Sequence, residues 1–217
     1  MLLFLVVLLL AAPLAGADTP APKVQLRVDF EAEDLTRNWL LPRLSDWAIA
    51  GESGNRFLRL LKPGEIGQPR RPLQYAIRRG LCVGDFDLRV RLRRAKRSLM
   101  IAFGYQDTLH FYYAHLSSDS GDVAVHNGLF KVDGGERFRI AGHGSAPVLP
   151  DPNWQEVRLV RRVASGEMEV YAGEDPRPRF RHVDTSFRFG RIGLGSFDET
   201  GDFDDFRLEG TSSSECR

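Results

Sequence analysis

The stretch that decides the fold class is Asp85–Arg93, which reads DFDLRVRLR. Apolar side chains occupy every second position of it: Phe86, Leu88, Val90 and Leu92. A period of two places these residues on one face of a β-strand and the charged residues on the other. One apolar and one charged face are typical of an antiparallel sheet that covers a core on one side. The stretch therefore predicts an antiparallel β-sheet protein.

The same alternation recurs along the chain and predicts nine further strands. They are Val24–Phe30, Phe57–Leu61, Leu99–Gln106, Leu109–Leu116, Val123–Val132, Trp154–Val163, Glu167–Ala172, Arg191–Phe197 and Phe203–Glu209. Breakers such as Lys62-Pro63-Gly64 separate them, and only Leu35–Leu41 suits a helical turn. About ten strands at this spacing predict an all-β fold of two antiparallel sheets, a β-sandwich or jelly roll.

The overall composition excludes two classes of protein. Hydrophobic residues make up 42% and charged residues 27% of the 217 residues, which excludes disorder over the whole chain. Lys and Arg number 30 against 29 Asp and Glu, a net charge of +1. A nucleic-acid binder usually carries a large basic excess, so we expect no nucleic-acid partner.

The first residues predict export. Residues 1–17 carry no charged side chain, and the apolar run Leu2–Ala12 is followed by Ala15-Gly16-Ala17, an A-x-A cleavage site. The run is shorter than the about 20 residues of a membrane span, although a retained anchor is the alternative. The predicted layout is a signal peptide at 1–17, a leader at 18–23, a sandwich domain at 24–210 and a polar tail at 211–217. We expect a secreted or periplasmic bacterial protein, monomeric and without a stable membrane span.

The two cysteines, Cys82 and Cys216, leave their pairing open. Export permits a disulfide, but the sequence does not give the Cα–Cα distance on which a disulfide depends. Neither cysteine belongs to a C-x-x-C pair, so a thiol redox role or a zinc role has no support.

Seven segments carry weak motifs in a characteristic order: Val28–Glu31, Phe57–Leu60, Gly84–Val90, Trp154–Leu159, Glu167–Tyr171, Gly190–Gly195 and Phe203–Leu208. Together they resemble concanavalin A-like lectin/glucanase sandwich domains of exported bacterial proteins. Within that superfamily the chain is most similar to laminin-G-like and 3-keto-disaccharide hydrolase-type domains. The resemblance implies two curved antiparallel sheets and a role with extracellular glycan. It leaves glycan binding and glycan cleavage both open, because lectins, lyases and hydrolases share this scaffold.

The richest candidate site is the aromatic strand Leu109–Leu116 with the segment that follows it. Tyr and His rings can stack on the C–H faces of sugars, and their polar tips can bind hydroxyl groups. His is also the usual general base near neutral pH. We therefore predict a glycan or polysaccharide on the concave sheet, bound near His110, Tyr112, His126 and Asn127. The alternative without a ligand is a half-buried aromatic strand.

An enzyme is the alternative to a carbohydrate-binding domain. His110, His126 and Tyr112 are then the catalytic candidates, in a 3-keto-glycoside hydrolase or a His/Tyr lyase. The glucanase signature E-x-D-x-x-E is absent from the sequence, which disfavours the classical paired-carboxylate hydrolase. A structural or adhesive module is the third possibility.

A ladder of basic residues begins with Arg89 and Arg91. If it faces the concave side, its guanidinium groups can bind the carboxylates or sulfates of an acidic glycan, and both residues join the predicted ligand-binding set. The alternative is an outer face on which acids of neighbouring strands offset the charge.

The resemblance also implies a structural calcium ion. In related sandwiches an acidic residue at the end of the first strand and one on the last strand share this ion, and the matching positions are Glu31 and Asp204. Alternation places Asp204 on the face of Phe206 and Leu208, where its carboxylate would need a partner. A solvated acidic turn is the alternative.

Overall fold

Strands form nearly all of the regular structure. The computed structural model describes residues 22–123 and 125–216, so the predicted signal peptide and most of the leader lie outside the described residues. The strands are β1 (Lys23–Val28), β2 (Trp39–Leu40), β3 (Trp47–Glu52), β4 (Asn55–Leu60), β5 (Ile66–Gly67), β6 (Arg71–Pro72), β7 (Gln74–Arg78), β8 (Val83–Arg94), β9 (Ser98–Asp107), β10 (His110–Ser117), β11 (Gly128–Asp133), β12 (Glu136–Ala141), β13 (Gln155–Arg162), β14 (Glu167–Ala172), β15 (Phe180–Val183), β16 (Arg191–Ser196) and β17 (Gly201–Ser212). Helix α1 spans Leu35–Asn38, and a single 3-10 turn spans Leu44–Asp46.

Two large sheets and one small hairpin account for these strands. Sheet A has the order β15-β14-β13-β8-β17-β4-β3, and β1 also pairs with β17. Sheet B has the order β12-β11-β10-β9-β16-β7-β2, and β5 pairs with β6. The pairs between these strands are antiparallel. The predicted all-β, two-sheet antiparallel sandwich is confirmed.

The main core lies between the inner faces of the two sheets. The apolar face of β8 packs there as its alternation predicts, with Phe86, Leu88, Val90 and Leu92 all buried. Sheet B contributes residues such as Ile101, Tyr112 and Leu194 to the same cluster. Each large apolar side chain that leaves water in this way stabilises the fold by about 1.5–3 kcal/mol.

A second apolar cluster covers the outer face of sheet B, which is the face turned away from sheet A. Its buried members are Tyr75, Ile77, Met100, Ala102, Phe111, Tyr113, Phe130, Val132 and Phe197. The segment that contains β5 and β6 covers part of this aromatic layer, since Ile66 packs against it. Arg71 fixes that segment by donating from Nε to the Thr108 carbonyl at 2.8 Å. Sheet B is therefore apolar on both faces, which the alternation alone did not predict.

Two of the predicted elements differ from the structure in extent. The predicted strand Val123–Val132 is wrong in its first part, because β11 begins only at Gly128, and residues 125–127 form turns and bends. Asn127 has a φ of +49°, a left-handed conformation that ends strand geometry. The predicted helical turn at Leu35–Leu41 is shorter, and Asp34 caps it by accepting from the N–H groups of Thr36 and Arg37.

A β-bulge corrects the predicted orientation of Asp204. The register of β17 against β8 shifts between Asp204 and Arg207, and Asp205 has a φ of +51°. The extra residue reverses the alternation. Asp204 therefore lies on the outer face of sheet A beside Arg91, whereas Phe206 packs in the core.

The C-terminal segment is held by both a strand and a disulfide. Strand β17 continues to Ser212, so the first residues of the predicted polar tail belong to the sheet. Cys82 and Cys216 form a disulfide with an S–S distance of 2.00 Å and a Cα–Cα distance of 5.8 Å. Among the residues that the structure describes, no helix has the length and apolar character needed to cross a membrane.

Candidate functional site

A cleft on the outer face of sheet A is built around Trp154. Its volume is about 360 Å³, near the lower end of the range for small-ligand sites. It is lined by Glu52, Ser53, Asn55, Phe57, Arg91, Arg93 and Trp154. These residues come from the β3–β4 hairpin, from β8 and from the position just before β13. We call this cleft the Trp154 cleft.

The Trp154 ring is half-buried and held by neighbouring side chains. Its centroid lies 5.4 Å from that of Phe57, with the rings at 74° to each other. The guanidinium carbons of Arg91 and Arg93 lie 5.3 and 4.8 Å from the Trp154 centroid. Such cation–π contacts contribute about 0.5–1 kcal/mol each at exposed sites. The indole is therefore oriented before any ligand arrives.

Ion pairs fix the floor of the cleft beside the ring. Arg59 and Arg93 both donate to the buried Asp202 carboxylate, each with a shortest distance of 2.7 Å. Arg93 also pairs with Glu52 at 2.8 Å. Burial lowers the pKa of Arg93, but the hydrogen bonds to Glu52 and Asp202 outweigh this effect and raise it. These contacts hold the positions of the cleft's donors.

Asn55 is oriented by an acidic residue below it. The buried Asp204 carboxylate accepts a hydrogen bond from Asn55 Nδ2 at 3.1 Å and one from the Asp205 N–H at 2.7 Å. An amide, a carboxylate, a hydroxyl and two guanidinium groups thus surround one aromatic ring. A polyhydroxylated ring that is apolar on one face suits this arrangement, because the indole can cover that face while the polar groups bind hydroxyls.

Two larger clefts lie elsewhere on the molecule and suit such a ligand less well. One of about 730 Å³ borders β1 and β17, and its one aromatic residue, Phe86, packs into the core. The other, of about 440 Å³, includes Ser212, Ser213 and Glu215 from the disulfide-linked C-terminal segment. Its aromatic residue is Phe189. Neither cleft contains an indole surrounded by an amide and guanidinium groups.

Tyr112 and His110 do not form part of the Trp154 cleft. Tyr112 points into the core, where its hydroxyl donates to Asp184, and burial together with this bond raises its pKa to about 12. His110 begins β10 and lies against Phe187, with Nδ1 3.0 Å from Asp107 Oδ1. Both side chains take part in packing around the loop that precedes β16.

His126 and Asn127 lie near the opposite end of β10. The His126 ring packs 5.2 Å from His115, which is five residues, or about 16 Å, along the strand from His110. Asn127 is buried, donates to Ser145 and Ala146, and accepts from the backbone N–H groups of Ser117 and Val148. The structure therefore separates His110 and Tyr112 from His126 and Asn127 along β10 and does not bring the four predicted residues together.

The arginine ladder lies on the outer face of sheet A, opposite the aromatic layer. Arg89 pairs with Glu156 on the neighbouring strand β13 at 2.9 Å. This agrees with the alternative in which acids of neighbouring strands offset the charge of the ladder. Arg91 is the one member of the predicted ligand-binding set that lines the Trp154 cleft. The sequence predicted Trp154 as the first residue of a strand and as part of a motif, but not as a site residue.

The predicted calcium ligands have other partners. Glu31 accepts from the Arg56 N–H at 2.9 Å, and its backbone carbonyl accepts from the Arg56 guanidinium. Asp204 accepts from Asn55. Within residues 22–123 and 125–216, no group of three or more His, Cys, Asp or Glu side chains is arranged to hold a metal ion. Calcium stays a prediction.

The Asp184 carboxylate is expected to make stability depend on pH. Burial alone would raise its pKa, but hydrogen bonds from Ser186 and Tyr112 and the nearby Lys131 lower it well below 3.8. The stabilisation is therefore fully present above about pH 4 and is lost as pH falls through the folded-state value. We expect Asp184→Asn to flatten the rise of the unfolding free energy between pH 2 and pH 4.

Denaturant titrations across this pH range measure that slope. Glu174→Gln, in an exposed turn, removes one carboxylate without touching this network and serves as the control. If the unfolding free energy of Asp184→Asn rises with pH as steeply as that of the unmodified protein, the role of Asp184 in this pH dependence is contradicted.

Comparison with known proteins identifies the fold class but no family. No protein-family model and no curated protein matches the chain. Among solved structures, the carbohydrate-binding module CBM66 from Bacillus subtilis matches with a TM-score of 0.57 at 16% identity, covering 80% of this chain and 96% of that one. Basic winged bean lectin, solved with Tn-antigen, matches with a TM-score of 0.52 at 10% identity, covering 89% and 100%.

A larger solved structure also contains a similar domain. The GH43 protein BlXynB from Bacillus licheniformis matches with a TM-score of 0.59 at 16% identity. The match covers 85% of this chain but only 39% of BlXynB. At these identities the similarities show the fold, a lectin-like β-sandwich of the jelly-roll type, and not the activity.

Proposed function

We propose that this protein is a carbohydrate-binding domain that holds a saccharide in the Trp154 cleft. The observation that carries the proposal is the half-buried Trp154 ring with Asn55, Glu52 and two arginines around it. Sugar binding needs an aromatic face and several convergent hydrogen-bonding groups, and this cleft supplies both. The names of CBM66 and the winged bean lectin support a glycan ligand for a sandwich of this type.

Binding is favoured over cleavage by the state of the nearby acids. Glycoside hydrolysis usually needs two carboxylates, one as acid and one as base or nucleophile. Asp202 here accepts hydrogen bonds from two arginines, and Asp204 accepts one from Asn55. Charge-assisted pairs hold these carboxylates in the acceptor role, which suits positioning better than proton transfer.

We also propose that the protein works outside the cytoplasm. The predicted signal peptide supports this placement, as does the Cys82–Cys216 disulfide. Disulfides persist in oxidising compartments and are rare in the cytosol.

A glycan array probed with the purified protein tests the proposed function. We expect retention on at least one class of oligosaccharide, with competition by the same free oligosaccharide. Failure to bind any member of a broad panel of neutral and acidic glycans would contradict the proposal and favour a structural or adhesive module. Release of reducing ends from a bound polymer would instead identify an enzyme.

A further inference from the structure

Two arginines cap the aromatic layer on the outer face of sheet B, the side of the sandwich opposite the Trp154 cleft. The guanidinium carbons of Arg70 and Arg137 lie 4.7 and 5.0 Å from the ring centroid of Phe197. Arg137 also lies 5.4 Å from the Phe130 centroid. Both cations therefore pack against one aromatic ring.

The positive charge at this place is only weakly compensated. Arg70 pairs with Asp198 at 3.5 Å, but these side chains are 57% and 48% exposed, and such a surface pair contributes about 0–1 kcal/mol. No carboxylate among the described residues forms an ion pair with Arg137, which packs against the Phe130 and Phe197 rings and interacts with Tyr113. An incoming anion can therefore bind Arg137 directly and can replace Asp198 on Arg70.

Buried polar groups beneath the arginines point to the same place. The Tyr113 hydroxyl and His115 Nδ1 are both buried. Burial raises the pKa of Tyr113, and the charge of Arg137, a side-chain hydrogen bond with Arg137 and the charge of Arg70 oppose that rise. Burial lowers the pKa of His115 to about 3, so its ring is neutral at physiological pH. The floor is thus buried and uncharged, and a buried, uncharged floor strengthens the attraction of the arginines for an anion.

We propose that Arg70 and Arg137 form a subsite for the oxyanion of an acidic saccharide, a carboxylate or a sulfate ester. Guanidinium groups bind both oxyanions in a forked geometry, and the planar cation can stay stacked on Phe197 while it does so. Asp198 shows that a carboxylate can reach Arg70. The proposal rests on the proposed function in that it takes the ligand to be a saccharide, but the subsite is separate from the Trp154 cleft.

Matched pairs of oligosaccharides test the subsite by calorimetry. One pair is a galacturonic acid hexamer and its methyl ester, and the other is a sulfated galactan oligomer and its desulfated form. We expect at least one acidic form to bind about tenfold or more tightly than its neutral partner, because a hydrogen bond to a charged group is stronger than one to a neutral group. The two pairs distinguish a carboxylate ligand from a sulfate ligand.

Variants locate the effect on the surface. Arg137→Gln and Arg70→Gln should each remove most of the preference for the acidic form, whereas Asp198→Asn should increase it. Arg27→Gln makes the same charge change on sheet A, at a side chain that is 69% exposed, and should have no effect. Arg70 is exposed on the surface, so its variant gives a test that does not depend on the folding of the Arg137 variant.

The outcomes separate this inference from the proposed function. If the acidic and neutral forms bind equally well, the subsite is overturned and saccharide binding is left intact. The same holds if Arg27→Gln loses as much of the preference for the acidic form as Arg70→Gln and Arg137→Gln do. The subsite is also overturned, with saccharide binding intact, if Trp154→Ala loses binding while Arg70→Gln and Arg137→Gln keep the preference for the acidic form. Absence of binding to all four oligosaccharides and to the wider glycan array overturns both proposals.

Discussion

Replacing Trp154 with alanine is expected to weaken saccharide binding by about 30-fold or more while the sandwich stays folded. The indole is the only aromatic ring of the Trp154 cleft that is not fully buried, since Phe57 lies beneath it. An anchoring Trp at the centre of a binding site commonly contributes about 2 kcal/mol or more, which corresponds to about 30-fold in affinity. Trp154 lies just before β13 and outside the main core, so its loss leaves the sheets intact.

Titration calorimetry with an oligosaccharide retained on the array measures this loss. Phe138→Ala is the matched control, because Phe138 is an aromatic side chain, 50% exposed, on an edge strand of the other sheet. Its affinity should equal that of the unmodified protein. Unchanged affinity in Trp154→Ala would place the saccharide elsewhere.

Removing the disulfide is expected to lower the free energy of unfolding by about 2–5 kcal/mol. Cys82 and Cys216 are 134 residues apart in sequence, so their bond closes a loop that spans more than half of the chain. Closing a long loop restricts the unfolded chain strongly. In the folded protein the bond also holds the end of β17, where Ser213 N–H donates to the Cys82 carbonyl at 2.9 Å.

Denaturant titration of a Cys82→Ser/Cys216→Ser variant measures this stabilisation. The free energy of unfolding of the variant should equal that of the reduced protein, which controls for the side-chain change. It should also not change when reductant is added. A midpoint equal to that of the oxidised protein would show that the bond does not stabilise the fold.

The fold could be predicted from local sequence pattern because the sandwich core selects one face of each strand. The alternation in Asp85–Arg93 identified both the strand and its buried face, and that face is the one that packs in the structure. The aromatic layer on sheet B was less predictable. Strand β10 is apolar on both sides, so alternation did not show which side faces the core.

The candidate site could not be predicted because its residues are far apart in the sequence and are brought together only by the pairing of their strands. Trp154 and Arg91 are far apart in sequence and meet only because β13 pairs with β8 in one register. The bulge at Asp205 places Asp204 beneath Asn55, and simple alternation gives the opposite face. The sequence signal for this site was a Trp just before a strand with charged neighbours. From sequence alone this Trp indicated a strand and a family motif, but not a binding site.

Mapping amide and indole NMR shifts during saccharide titration tests the central claim most directly. The predicted result is that the Trp154 indole N–H and the backbone amides of Glu52, Ser53 and Asn55 shift together and saturate at the same concentration. Shifts confined to β10 and β11, with an unmoved Trp154 signal, would contradict the assignment of the saccharide site to the Trp154 cleft.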